Sequence, residues 1–315
     1  MNYKVIITTS GIGSRLGEVT RFINKALVRV GKKAAISYII EKIPLEVPIV
    51  ITLGYKKDQV KEYLLFAHPE RVFEFVDIYP FEGERSSLGY SLLSAAPTLQ
   101  CPFIYVACDT LFSFPLEVPS YNWMAVVPAF DAGQYTSVKI SYKNYIQEIY
   151  AKGAIEFDSV YIGLAGIVDY GPFWENLKKL YFENPVDQTL NDTRVFSEML
   201  RQGYRINPHR IEKWFDIGNQ EALQNARNQI DDYFDNLEKA DESIYLFDDD
   251  FVIKFFFDHS IIKKRVARAS YLKGLVPNIE KVGYYFYRYE YIQGELYSQI
   301  VNRYNLKSFL IYCQV

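Results

Sequence analysis

The stretch Lys4-Val-Ile-Ile-Thr-Thr-Ser-Gly-Ile-Gly-Ser-Arg-Leu16 decides how the chain is read, together with Lys25 in Asn24-Lys25-Ala26-Leu27. A short apolar run opens into a glycine-bearing turn that carries an arginine. Gly11 and Gly13 lack Cβ atoms, so the backbone there can adopt positive φ and come close to an anionic ligand. Ser10 and Ser14 belong to the same turn. Arg15 offers a planar fork that matches phosphate oxygens, and Lys25 a mobile point charge. A strand that hands such a loop to a helix presents backbone N–H groups to a phosphate. A Walker loop would end in Gly-Lys-Ser/Thr, and a dinucleotide fingerprint would have a third Gly or Ala where Leu16 stands. An ordinary strand-turn-helix connection with chance glycines is the other reading of this spacing.

Working outward, residues 5–9, 48–53, 73–78 and 103–107 read as apolar strands, separated by amphipathic segments such as 34–42 and 59–66. Strands alternating with helices imply an α/β fold, a Rossmann-like mixed but mainly parallel sheet with helices on both faces. Ligands of such sheets sit at the carboxyl ends of the strands. The turn at Gly11 lies at one such end.

At 315 residues, with 49% hydrophobic residues and a net charge of −3, the chain has room for two domains and no basic field for nucleic acid. The opening Met-Asn-Tyr-Lys runs directly into a strand with no leader pattern, and no apolar stretch approaches the ~20 residues of a membrane helix. A cytoplasmic protein without a membrane partner is the expectation. Cys101, Cys108 and Cys313 have neither zinc spacing nor an even count and read as free thiols.

Three further stretches carry chemistry. Arg85-Ser86-Ser87-Leu88-Gly89-Tyr90-Ser91-Leu92 is a polar turn leading into a helix, in which Ser87 is either a ligand contact or a helix cap. In Phe103-Ile-Tyr-Val-Ala-Cys-Asp109, a carboxylate directly after a buried strand is desolvated unless a cation meets it, which makes a metal ion a natural partner. A turn or cap aspartate is the alternative. The third is Ile211-Glu-Lys-Trp214-Phe-Asp216-Ile-Gly218-Asn219.

Gly-x-Gly-Ser-Arg-Leu followed by a lysine, Asp109 after a strand and Trp214-x-Asp216-Ile-Gly218 occur in the order of the nucleotidyltransferases that make sugar nucleotides and CDP-alcohols, a family this sequence resembles. Members usually read Ala-Ala-Gly before the loop and Pro-Lys at the lysine, where this chain has Thr9-Ser10-Gly11 and Asn24-Lys25. The resemblance implies the nucleotidyltransferase fold, Mg²⁺ held by Asp109 and Asp216, and Arg15 and Lys25 on the departing pyrophosphate. It places Ser10, Gly11, Gly13, Ser14, Ser87 and Gly89 against the nucleotide. It also matches Glu148-Ile-Tyr-Ala-Lys152-Gly153 and Tyr161-Ile-Gly163-Leu-Ala-Gly166-Ile167 to the acceptor-binding part, with Lys152, Gly163 and Gly166 as contacts. A hairpin with an exposed lysine is the competing account of Lys152. His209 reads as structural, because phosphoryl chemistry needs positioning and charge more than a base.

After an acidic stretch the character changes, and a boundary falls between a domain 1–232, a linker 233–242 and a segment 243–315. A hairpin over 243–247 and 251–257, a basic helix over 261–273 and aromatic strands after Val282 resemble the N-terminal lobe of the aminoglycoside phosphotransferase and choline kinase superfamily. Lys254 matches its ATP lysine, and Glu290-Tyr-Ile-Gln-Gly294 its hinge. The helix offers no Glu to pair with Lys254, and no His-x-Asp catalytic loop follows. The resemblance implies an incomplete kinase-like lobe of a two-activity protein; a small α+β interaction domain is the alternative.

The expected function is therefore transfer of a nucleotide from an NTP, whether CTP, UTP or another, to a small phosphorylated acceptor, feeding a cell-surface polymer such as a capsule. Trp214-x-Asp216-Ile-Gly218 favours a sugar phosphate. The kinase-like tail and Ser86-Ser87-Leu88 favour a phosphoalcohol such as phosphocholine with CTP. A nucleotide-sensing or scaffold module that retains the fold is the reading from another class. The base, the acceptor and the oligomeric state are not legible in the sequence.

Overall fold

Period-two alternation along four parallel strands sets the architecture in the computed structural model, which describes residues 3–129, 132–230, 239–247, 250–294 and 300–312. The chain begins β1 (Lys4–Thr8), α1 (Val19–Phe22), a small hairpin of β2 (Arg29–Val30) and β3 (Lys33–Ala34), α2 (Ala35–Ile40), β4 (Ile49–Leu53), α3 (Lys57–Ala67) and β5 (Phe73–Asp77). It continues through α4 (Leu88–Ala95), β6 (Phe103–Ala107), β7 (Thr110–Phe112), β8 (Trp123–Val127), β9 (Ser137–Ile140), β10 (Ile146–Tyr150) and β11 (Ser159–Ile167). Then come α5 (Tyr170–Glu183), α6 (Asp192–Arg201), β12 (Asn207–Arg210), β13 (Trp214–Asp216) and α7 (Gln220–Gln229).

One sheet runs β10-β9-β11-β6-β1-β4-β5, with β8 paired to β11 and β12 to β8. β5, β4, β1 and β6 are parallel, and β11, β9 and β10 continue antiparallel. Because successive strand residues point to opposite faces, each strand supplies two cores. Val5, Ile7, Ile51 and Val106 are buried with α2 and α3 on one face. Ile6, Val50, Phe103 and Tyr105 are buried with α4, α5 and α6 on the other. Helices on both faces of a mixed sheet, parallel at its centre, are the expected class.

The last part forms a second sheet, in the order β14-β15-β17-β16, from β14 (Glu242–Phe247), β15 (Phe251–Phe256), β16 (Ile279–Val282) and β17 (Phe286–Glu290), with α8 (His259–Tyr271) between β15 and β16. A final helix spans Arg303–Tyr312. The expected hairpin and basic helix are thus present, whereas one strand, β17, and not a pair of aromatic strands, follows Val282 among the described residues. Residues 233–238 of the expected linker, Asp248 and Asp249 of the turn, and Cys313 lie outside the described residues. One face of this sheet buries Tyr245, Ile253, Phe255 and Phe286 in the same core as β1 and α3. The other face packs Phe256 and Tyr287 against Ile262 of α8. Glu62 on α3 accepts hydrogen bonds from the backbone N–H groups of Tyr284 at 3.1 Å, Tyr285 at 3.0 Å and Phe286 at 2.9 Å. The boundary read from the sequence therefore separates two sheets that share one core. No helix among the described residues is long and apolar enough to cross a membrane.

His68, at the end of α3, belongs to this junction. Its Nε2 lies 2.9 Å from Ser37 Oγ, and its ring meets Phe247 edge-on at 5.8 Å. Burial, with the Arg71 and Lys33 charges nearby, pushes it down to about 3. An unfolded histidine takes a proton near pH 6.5, so between these values the unfolded state binds more protons and stability rises with pH. The contribution is fully present above pH 6.5 and is lost on acidification towards 3, in total about 5 kcal/mol at most. In urea titrations, the stability difference between wild type and His68→Gln should shrink steadily from neutral pH to pH 4.5; a constant difference would mean that the folded histidine titrates normally.

Candidate active site

The turn after β1 is shaped by what lies beneath it. Gly13 has φ +72°, and a Cβ there would sit 2.9 Å from Lys25 Cβ, so the loop folds directly over the lysine. A 3₁₀ turn, Ser14–Leu16, follows; Leu16 is buried and Arg15 is left exposed. Lys25 opens a second 3₁₀ turn, Lys25–Leu27, which is capped by Asn24. Asn24 is fully buried and uses its whole side chain: Oδ1 accepts from Ala26 N at 2.9 Å, and Nδ2 donates to Thr9 O at 3.0 Å and Tyr55 O at 2.6 Å. The asparagine thus does the work of fixing the lysine to the end of β1.

Across from this turn, the chain leaves β6 at Ala107 and passes through Cys108 to Asp109. β1 and β6 are adjacent, with Thr8 opposite Ala107, so both chain ends open on the same edge. Lys25 Nζ donates to Asp109 Oδ2 at 3.1 Å. Burial pushes the Asp109 carboxyl up, but Lys25, with Arg15 behind it, more than offsets this and holds it below the usual carboxylate range. For Lys25 burial opposes the charge, and the Asp109 carboxylate outweighs it and raises the ammonium's pKa. Both groups are charged at neutral pH. Cys108 is buried beside them, and burial pushes its thiol up to about 11, which keeps it protonated.

Asp216 reaches the same point. β13 pairs antiparallel with β7, placing Asp216 opposite Thr110, and Ile217 N donates to Asp109 O at 3.0 Å. A Cβ built on Gly218 would lie 3.0 Å from Asp216 Oδ1, 3.2 Å from Arg15 Nη2 and 3.2 Å from Asp109 Oδ2. The two carboxylates and the arginine therefore converge on the one residue with no side chain. Asp216 is itself held: Oδ1 accepts from Gly218 N at 2.7 Å, and Oδ2 accepts from Tyr135 Oη at 2.9 Å. Burial and the adjacent Asp216 charge both raise the Tyr135 pKa, so the phenol stays a donor.

Two converging carboxylates are hard oxygen donors of the kind Mg²⁺ takes, with substrate phosphates and water completing its shell. No cluster of three or more potential ligands exists among the described residues, so Asp109 and Asp216 do not make a closed cage on their own. The donor set fits a cation shared with a phosphate.

A cleft of about 370 Å³ opens in front of these groups. Ser10, Gly11, Arg15, Lys25, Ser87 and Asp109 line it, joined by Phe81, Ser91 and Tyr105. Ser10 Oγ lies 3.0 Å from Ser91 Oγ. Ser87 also caps α4, accepting from Tyr90 N at 3.0 Å. Gly89, Lys152, Gly163, Gly166 and Lys254 are not among the residues that line this cleft. Gly89 N donates to Leu190 O at 2.8 Å and a Cβ there would strike the Leu190 side chain, so this glycine serves helix packing. Gly166 is covered by the Trp123 ring, Gly163 (φ +78°) stands at a register shift of β11 against Ala107, and Lys152 is exposed in the turn after β10. None of these three lines the cleft. Lys254 sits on β15, its Nζ 5.5 Å from the Tyr289 ring centre. Tyr135 is the member that sequence reasoning missed, since nothing local marks a tyrosine that meets Asp216 only through the fold.

No protein-family model and no curated protein matches the chain. Solved structures do. The CTP:phosphocholine cytidylyltransferase of Streptococcus pneumoniae superposes with a TM-score of 0.60 at 17% identity, over 72% of this chain and 99% of that one. A UDP-glucose pyrophosphorylase complexed with UDP-glucose gives 0.58 at 17% identity, over 72% and 98%. The inositol-1-phosphate CTP transferase from T. maritima gives 0.56 at 16%, over 73% and 98%. At these identities the likeness establishes the fold: this chain has the α/β fold of these nucleotidyltransferases.

Asn24→Ala removes one cap and two buried hydrogen bonds and should cost about 2–4 kcal/mol of stability in urea unfolding. A loss under half a kilocalorie would show that the lysine turn holds itself.

Proposed function

We propose that the protein is a Mg²⁺-dependent nucleotidyltransferase that joins a nucleoside triphosphate to a small phosphorylated acceptor and releases pyrophosphate. The observation that carries this reading is the convergence of Asp109, Asp216 and Arg15 on Gly218, with Lys25 paired to Asp109. Arg15, Lys25 and Asp109 line one strand-end cleft, and Asp216 meets Arg15 and Asp109 at Gly218; this set of charges suits a reaction in which a triphosphate's negative charge must be held and redistributed. A closed ion-pair cluster with only a structural duty has no need to line an open cleft.

In the proposed reaction the turn of Ser10, Gly11, Gly13 and Ser14 receives the triphosphate, and Ser87 contacts the nucleoside side. Arg15 and Lys25 hold the β- and γ-phosphates in line for departure. An acceptor phosphate oxygen attacks the α-phosphorus; the new P–O bond forms as the bond to pyrophosphate breaks, and no covalent enzyme intermediate is needed. Mg²⁺, when bound between Asp109 and Asp216, would neutralise charge developing on the α-phosphate. Tyr135, which donates to Asp216 Oδ2, orients that carboxylate for the task.

A sugar phosphate is the first acceptor in this reading, and the product a precursor of a cell-surface polysaccharide made in the cytoplasm. Lys152, Gly163 and Gly166 are assigned to the acceptor side only on the sequence resemblance. One observation favours a phosphoalcohol instead: the Tyr135 and Trp214 rings meet edge-to-face at 5.2 Å beside Asp216, and such faces suit a quaternary ammonium group. The segment from residue 243 would be the kinase-like lobe of a bifunctional protein, with Lys254 its phosphate-holding lysine.

The test is pyrophosphate release with Mg²⁺, pairing CTP, UTP, GTP, ATP and dTTP with sugar 1-phosphates, phosphocholine and other phosphoalcohols. One productive pair is expected. Asp109→Asn should lower turnover by about a thousandfold or more with an unchanged circular dichroism spectrum. Lys25→Ala should slow pyrophosphate release by about a hundredfold or more. Silence of the folded, nucleotide-binding wild type across the panel would turn the reading towards a nucleotide-sensing module.

A further inference from the structure

One side chain of the second sheet ends on the turn that carries Lys25. β14 runs beside the β2–β3 hairpin, and Leu246 N donates to Lys32 O at 2.9 Å, so the backbone itself ties this strand to the hairpin. Tyr245, the residue before, is wholly buried, and its Oη donates to Leu27 O at 2.7 Å. Leu27 closes the 3₁₀ turn Lys25–Leu27, whose first residue meets Asp109 at 3.1 Å. A turn this short has too few internal hydrogen bonds to set its own orientation. The hydroxyl therefore holds one end of a segment whose other end is the lysine. The tyrosine is held in its turn. Its ring meets Tyr63 of α3 edge-to-face at 5.0 Å, and Tyr63 Oη lies 2.7 Å from Ser37 Oγ of α2. Burial raises the Tyr245 pKa, so the phenol stays a donor. A phenylalanine would fill the same space and leave the buried Leu27 carbonyl without that donor, an arrangement proteins avoid.

We infer that Tyr245 is a positioning residue for Lys25, and that the second sheet is in this sense part of the candidate active site. Tyr245 does not line the cleft and acts only through the Leu27 backbone. What it supplies is orientation. In the proposed reaction Lys25 has to meet the departing phosphates in line, and a displacement of about 1 Å at such a group can cost roughly a hundredfold in rate. The same displacement would open the ion pair with Asp109 and expose the ammonium. The consequence for turnover rests on the nucleotidyl-transfer reading; the consequence for the exposure of Lys25 does not.

The experiment compares two variants of the full chain that each remove one buried hydroxyl from the same junction. Tyr245→Phe releases the lysine turn, whereas Tyr63→Phe releases Ser37, which lies outside that turn. Lysines are labelled with trace acetic anhydride and read by mass spectrometry. Lys25 should label several times faster in Tyr245→Phe than in wild type, and at the wild-type rate in Tyr63→Phe. Pyrophosphate release by Tyr245→Phe should show kcat lowered about tenfold or more, with the acceptor KM within about twofold of wild type. Lys25 labelling unchanged by Tyr245→Phe would overturn the inference, as would an equal rise in Tyr63→Phe, which would reduce the junction to general stability. A wild type silent in the transfer assay would sink the nucleotidyl-transfer reading while the labelling still decides this one. Should Tyr245→Phe not fold, hydrogen–deuterium exchange of the wild type in sub-denaturing urea replaces it: segments 24–34 and 243–256 should lose protection at the same urea concentration, and earlier opening of 24–34 alone would show that the second sheet does not hold the turn.

Discussion

A lysine and an aspartate facing each other across 3.1 Å, with side chains only 20% and 16% exposed, constrain everything around them. A charge so poorly hydrated costs several kcal/mol unless a counter-charge meets it, so neither residue is tolerable there without the other. The pairing depends on backbone geometry that no side chain can supply. β1 and β6 must be neighbours and parallel, so that their carboxyl ends open together. Gly13 must have no Cβ, because Lys25 occupies the space beneath it. Asn24 must spend its amide on Thr9 and Tyr55, because the lysine turn would otherwise be free to swing away from β1. In the proposed reaction the pair also defines a resting state. An arriving triphosphate gives Lys25 a new anionic partner, and the Asp109 oxygen it vacates becomes available to a cation.

The strands and the main anchors of this arrangement were legible in the sequence because each is announced locally. Apolar runs gave β1, β4, β5 and β6 to within a residue or so at each end; for β1, β4 and β6, buried inside the sheet, burial on both faces leaves little freedom in composition. Arg15, Lys25, Asp109 and Asp216 do gather at one place, as their motifs implied. What the letters conceal is why a glycine is present. Gly13 clears the lysine, Gly218 clears three converging charged groups, Gly89 admits Leu190 and Gly166 admits an indole ring. All four look alike on paper, and only two belong to the cluster. Tyr135 was invisible for the complementary reason. Its hydroxyl meets Asp216 through the fold, and no spacing rule connects the two.

The second sheet shows the same limit at a larger scale. Its hairpin, helix and aromatic strand could be read from residue patterns, but the abundance of tyrosine and phenylalanine had no assigned purpose until the faces were known. Alternation along β15 sends Ile253 and Phe255 into the core shared with β1, and Phe256 towards α8. Edge-to-face contact of Tyr63 with Tyr245, at 5.0 Å, seals the junction.

That junction reaches the Lys25–Asp109 pair through one hydrogen bond and a short stretch of chain. Tyr245 Oη donates to the carbonyl of Leu27 at 2.7 Å, and Leu27 closes the 3₁₀ turn that Lys25 opens. Arg227 of α7 donates to the carbonyl of Arg29, two residues on, at 3.0 and 3.1 Å. With Asn24 at the start, the segment bearing the lysine is gripped from three regions far apart in sequence. A turn this short has few hydrogen bonds of its own, so its position is set mostly by those outside partners. The second sheet is therefore more than an appended lobe: by fixing the Leu27 carbonyl it helps to fix how far Lys25 stands from Asp109, and a change that loosens Tyr245 or the Glu62 cradle would be felt at the ion pair before it is felt in the central sheet.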